Sequence, residues 1–121
     1  MLKRKKGFTL LELIIVVIII GILATLALPR FMKAGSRARW AAAAQTLGII
    51  RGAQMRYYAE RENWSTLMSD LDITLPDVPG RWTINNPAGT DAEVGKVTEL
   101  TVTPNQVYTI AADGTITPAQ P

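Results

Sequence analysis

The sequence predicts an α+β fold, one long N-terminal helix packed on a small antiparallel sheet of three or four strands. Three observations predict it. A stretch from Gly7 to Pro29 is apolar almost throughout, the segment after it has apolar residues at helical spacing, and the last forty residues alternate in short runs separated by Gly, Pro and Asp. The boundaries follow from these shifts: residues 1–7 a basic leader, 8–29 a hydrophobic helix, 30–62 an amphipathic continuation, and 63–121 a small β-rich head.

Phe8 to Leu28 is 21 residues, which at ~1.5 Å per residue matches the ~30 Å of a bilayer's hydrocarbon core. The four bases before it, Lys3, Arg4, Lys5 and Lys6, favour a cytoplasmic N-terminus and an external remainder. Glu12 is the exception inside the run. A carboxylate facing lipid is costly, so an acid at this position implies a partner. Snorkelling to the headgroups is the alternative.

Gly7 followed by Phe8-Thr9-Leu10-Leu11-Glu12-Leu13, then an uncharged run containing Gly21 and ending at Pro29, resembles the N-terminus of type IV prepilins and of type II secretion pseudopilins. The resemblance covers roughly residues 3–31. It implies a type IV pilin-like fold, cleavage by a membrane prepilin peptidase between Gly7 and Phe8, N-methylation of Phe8, and packing of the long helices into a filament. Glu12 corresponds to the acid required for assembly. Lipid surrounds the helix before assembly, and itself, as a helical homopolymer, afterwards. The partners implied are the peptidase and a pilus or secretion assembly machinery in the inner membrane; the end point is a cell-surface pilus.

Physical chemistry agrees with that resemblance. A chain beginning at Phe8 has an α-amine that is largely protonated at neutral pH, one helical turn from the carboxylate four residues on. In a helix bundle, an opposite charge from a neighbouring chain offsets the desolvation of both groups. A subunit docked at the wrong height leaves an acid unpaired in an apolar interior, so the pair sets axial register. Two other readings compete. A secretory signal peptide has a similar layout, with Thr25-Leu26-Ala27 as its cleavage site, but Glu12 interrupts its apolar region. A single-span anchor needs neither the Gly-Phe junction nor the acid.

Gly21 permits close helix approach in lipid. Pro29 lacks a backbone donor, so a kink or local unwinding is expected near Thr25 to Pro29, making Gly21 and Pro29 candidate hinge positions. The helix then resumes to Arg61 or Glu62. Trp40, Ala43, Ala44, Leu47, Ile50, Tyr57 and Tyr58 share one side, with Gln45, Arg56 and Glu60 opposite. Arg51 falls inside the apolar stripe and Ile49 outside it.

A loop begins near Asn63. Ser65 followed by Leu67, Met68 and Leu71 suggests a short capped turn, and Pro76, Pro79 and Gly80 break structure. Arg81 to Asn85 is the first strand. Val97 to Thr103 is the second, with Leu100 and Val102 inward and Glu99, Thr101 and Thr103 outward. Val107 to Ala111 and Thr115 to Thr117 flank Asp113-Gly114, a hairpin signal. Trp64, Trp82 and Tyr108 are core or interface anchors, and the tail from Pro118 to Pro121 is expected to be disordered.

The net charge of +3 becomes −1 once the four leader bases are removed, so overall basicity does not point to nucleic acid. The rest is polarised: seven bases against two acids between Arg30 and Glu62, then two bases against seven acids from Asn63 onward. A basic stem thus carries an acidic head, and attraction between stems and heads of adjacent subunits is one consequence. Stem arginines are also of the type that meet phosphates, so DNA contact stays open.

No histidine or cysteine occurs. That excludes a His-dependent triad, thiol catalysis, zinc thiolate sites and any disulfide in the head, whereas many type IV pilins carry a C-terminal disulfide loop. Asp70 and Asp72 invite a calcium reading, but two carboxylates outside a ligand-rich loop are a weak signal, and no metal or cofactor is expected. The sequence therefore points to a non-enzymatic pilus subunit, with a major pseudopilin of type II secretion as alternative and a membrane-anchored binding module as the third.

Overall fold

The computed structural model describes residues 7–75, 81–101 and 104–121. The expectations that fall on Lys3, Arg4, Lys5 and Lys6, on Pro76, Pro79 and Gly80, and on Val102 and Thr103 lie outside the described residues. The fold is α+β and pilin-like: helix α1 (Leu10–Arg61), a 3-10 turn (Met68–Asp70), and strands β1 (Trp82–Asn85), β2 (Gly95–Glu99), β3 (Gln106–Ile110) and β4 (Ile116–Thr117). By packing the chain divides into two compact units, Met1–Ser36 and Arg37–Pro121.

In the first unit the helix has no cover. Every large apolar side chain from Leu10 to Leu28 is exposed, and this span is long and apolar enough to cross a membrane by length and composition, with a mean hydropathy of 3.0. A kink or local unwinding was expected from Thr25 to Pro29; helical structure runs unbroken through these residues, so the unwinding is not seen. Proline deletes a single main-chain donor, and the turn before it keeps its other bonds. The Thr25 hydroxyl also donates to the Ile22 carbonyl (2.7 Å) in this turn.

The second unit holds the core. Ala43, Leu47, Ile50 and Ala53 of α1 pack with Leu71, Val94, Val97, Tyr108 and Ile110. Steps of three and four residues along α1 place these side chains on one face. Ala53 and the fully buried Gln54 replace Tyr58, which is 42% exposed and stacks on Trp64 at 4.4 Å between ring centroids. The helix ends as expected at Arg61, where Glu62 takes a positive φ (56°) and its N–H donates to the Tyr58 carbonyl.

The sheet is an antiparallel meander in the order β1-β2-β3-β4. Its second strand corrects the expected facing. Gly95, Val97 and Glu99 turn inward, and Leu100, beyond the strand end, is 44% exposed. The alternation of Leu100 and Val102 suggested the opposite parity, and a one-residue slip inverts every side chain. Packing of Val97 opposite Tyr108 decides the register. Glycine is required at position 95 by close approach: a Cβ there would lie 2.8 Å from Ile110 Cγ2 and 3.0 Å from Ile50 Cγ2. The β3–β4 hairpin turns at Asp113-Gly114 as expected. Gly114 has φ +96°, its N–H donates to the Ala111 carbonyl, and the Thr115 N–H donates to Asp113 Oδ1.

Ser65 caps a short turn, as expected: it is buried, its Oγ accepts from the Leu67 N–H and lies 3.0 Å from Asp70 Oδ2, and the 3-10 segment that follows has Leu67 at its N-cap position with no side-chain bond of its own. The tail is not loose either: the Pro118 carbonyl accepts from Trp40 Nε1 (3.0 Å) and the Pro121 carbonyl from Arg37 Nε (3.2 Å).

Candidate assembly site

The N-terminal residues form a compact polar device at the head of an apolar helix. Gly7, Phe8 and Thr9 are non-helical and exposed, Phe8 at 86%. Thr9 is the residue before the first helical one, and Glu12 stands three residues on. The Glu12 N–H donates to Thr9 Oγ1 (3.2 Å), while the Thr9 N–H and hydroxyl both reach Glu12 Oε2 (2.8 and 3.1 Å). This is a reciprocal capping box, which satisfies amide groups that the first turn leaves unpaired. The signal was present in the sequence as Thr-x-x-Glu before an apolar run. Reading Glu12 only as a partner for another chain missed it.

The arrangement gives Glu12 two capacities. Within its own chain it closes the helix start, and Oε1 has no hydrogen-bond partner among the described residues, so it can still accept from a donor outside the chain. Gly21 faces open space, with nothing within 4 Å of where a Cβ would stand. Further along, Leu23, Leu26, Ala27, Phe31 and Ala34 form a shallow, open apolar surface shared with Arg30.

Three of the seven stem bases, Arg37, Arg39 and Arg51, contact the head. The Arg39 and Arg81 guanidinium groups each place Nε 3.7 Å from a carboxylate oxygen of Glu99, whose side chain is fully buried. Thr101 donates to Glu99 Oε1 (2.7 Å), while Glu99 Oε2 and Arg81 Nε have no hydrogen-bond partner among the described residues. Arg51, the apparent error in the apolar stripe, donates to the Ala112 carbonyl (2.8 Å) beneath the hairpin turn. Beside this turn the Thr115 N–H and hydroxyl hold the Asp113 carboxyl below its ordinary range, and the Arg51 charge acts in the same direction. Burial pushes the Tyr108 hydroxyl up, and the Glu99 charge adds to it against Arg39 and Arg81.

Gln54 is the other residue the sequence reading missed. Its side-chain amide donates to the Ser65 carbonyl (2.8 Å) and accepts from the Ser65 N–H (2.9 Å), both buried. Asp70 and Asp72 line a cavity of about 280 Å³ with Ala53, Arg56, Tyr57, Glu60 and Leu71. Among the described residues, no group of three or more His, Cys, Asp or Glu side chains is placed to hold a metal ion.

A capped, uncovered apolar helix carrying one acid near its start, continued into a helix that supports a four-stranded meander, is a pilin-like arrangement. Comparison with known proteins agrees. Residues 2–28 match the family model for the prokaryotic N-terminal methylation motif. The chain is 34% identical over 111 residues to a type IV major pilin of Myxococcus xanthus, covering 91% of this chain and 50% of that protein. It is 48% identical over 50 residues to the type IV narrow pilus major component of Thermus thermophilus (41% and 43% covered). A match of 33% over 73 residues reaches the type II secretion system core protein G of Aeromonas hydrophila (60% and 51% covered). The chain thus spans about half the length of these relatives, and no solved structure matches it. Residues 2–28 thus carry the methylation-motif signature, and over the matched stretches the chain is similar to type IV major pilins and to a type II secretion core protein.

Proposed function

We propose that this chain is a structural subunit of a type IV pilus, cut between Gly7 and Phe8 by a prepilin peptidase, N-methylated at Phe8, and polymerised through α1. The observation that carries the reading is the uncovered apolar surface of α1 from Leu10 to Leu28, headed by Phe8 and Glu12. Lipid covers that surface while the subunit waits in the inner membrane, and neighbouring copies of the same helix cover it in the fibre. Glu12 then meets the methylated amine of a neighbour's Phe8, a contact that methylation preserves because the amine keeps its charge. Gly21 and Pro29 supply the adjustment that transfer from bilayer to bundle demands. An assembly machinery in the inner membrane performs the extraction, and the role is structural, with the chain a substrate of its processing enzyme.

A second reading, a major pseudopilin confined to the envelope, is favoured by the similarity to core protein G. Intact-protein mass spectrometry with N-terminal fragmentation separates the two. N-methylated Phe8 in sheared surface material supports the pilus; the same species confined to washed membranes supports the pseudopilus. A chain starting at Met1 or Leu28 in both fractions refutes the processing argument. Glu12→Gln is expected to be inserted and processed but poorly assembled, and normal assembly of that variant refutes the role given to Glu12.

A further inference from the structure

We propose that the segment Pro118–Pro121 is a closing strap, which clips the β3–β4 hairpin to α1 and whose release is the first step in opening the head. The need for such a device arises from β4. It is two residues long and pairs only through Thr109 with Thr117 and Ile110 with Ile116. A strand that short contributes little pairing at an edge.

The four residues after β4 supply the missing hold. Pro118 lacks an N–H, so the ladder cannot continue through it as a donor, but its carbonyl is free to accept. The Trp40 indole Nε1 takes that carbonyl at 3.0 Å in a half-buried contact, and Arg37 Nε takes the Pro121 carbonyl at 3.2 Å. Arg37 and Trp40 are three residues apart, hence neighbours on one helix face, and their acceptors are also three residues apart. At the other end of β4, Arg51 Nε holds the Ala112 carbonyl at 2.8 Å. The hairpin is therefore fixed to one helix at its turn and at its exit. The chain contains no cysteine, so no disulfide reinforces this closure, and the reading holds whether or not the subunit assembles as proposed above.

Hydrogen exchange followed by mass spectrometry on the full chain in detergent micelles tests the strap. Trp40→Phe keeps an aromatic ring and removes the donor; Arg37→Gln removes the other contact from an exposed side chain. Each variant is expected to speed exchange of the Thr115, Ile116 and Thr117 amides by about 5-fold, and the double variant by about 25-fold. The loop at residues 64–71, held by Gln54, serves as the internal reference and should not change. Unaltered exchange at residues 115–117 overturns the proposal. So does an equal rise at residues 64–71, which would make Trp40 a packing residue of the core. Should Trp40→Phe fail to fold, Arg37→Gln alone decides between these outcomes.

Discussion

Replacing Gln54 by alanine should be the most damaging single change on the buried face of α1 that leaves its apolar packing residues in place. The side chain is fully buried and makes two hydrogen bonds to one residue, at 2.8 Å to the Ser65 carbonyl and 2.9 Å from the Ser65 N–H. Each bond is worth about 0.5–1.5 kcal/mol net, and stranding a buried partner group costs about 1–3 kcal/mol. With two main-chain groups stranded and some water entering the gap, the loss is about 3–5 kcal/mol, a large fraction of the stability of so small a head. Ser65 also anchors the turn through Leu67 and Asp70, so the loop should loosen before the sheet does. Denaturant titration of the detergent-solubilised chain, monitored by tryptophan fluorescence, measures the change, since Trp64 sits beside the broken contact. A midpoint shift equivalent to less than about 1 kcal/mol, at unchanged slope, refutes the reasoning.

Gly95→Ala places a Cβ against Ile110 and Ile50 and should cost about 1–3 kcal/mol by overpacking, read as a lower thermal midpoint. The double change Arg39→Met with Arg81→Met leaves Glu99 buried without a cation and should cost about 3–5 kcal/mol, whereas Glu99→Leu, which frees two half-exposed arginines to reach water, should cost clearly less. Equal costs in the same titration count against the ion triad. The Asp113 carboxyl is held low in the folded chain, so its contribution is present above the ordinary Asp range and is lost as pH falls through its lowered folded value. Exchange at Gly114 and Thr115 should rise in acid, and Asp113→Asn should flatten that dependence.

The helix, its end at Arg61, a small antiparallel sheet of three or four strands and the Asp113-Gly114 turn were legible because each rests on local chemistry: apolar periodicity, chain length and the φ tolerance of glycine. Three features were not. Glu99 breaks the rule that acids face water, and its inward orientation depends on Arg39 and Arg81, which are distant in sequence and meet only in the fold. Gln54 on a helix reads as a solvent residue until Ser65, eleven residues on, supplies its two backbone partners. The tail looked free because prolines form no ladder, yet their carbonyls remain acceptors for any donor that the helix brings near. Of the candidate site, Gly7, Phe8 and Glu12 were visible as a motif, while the part Thr9 plays required the bond geometry.

The capping box bears on how the N-terminus meets a protease. Because Thr9 and Glu12 terminate the helix themselves, the Gly7–Phe8 bond lies in exposed, non-helical backbone ahead of the first turn. A peptidase needs its substrate extended through the active site. For the cut proposed between Gly7 and Phe8, no helical turn would have to melt first. The helix start is held by contacts between Thr9 and Glu12 alone, so it does not depend on the residues that the proposed cut would remove.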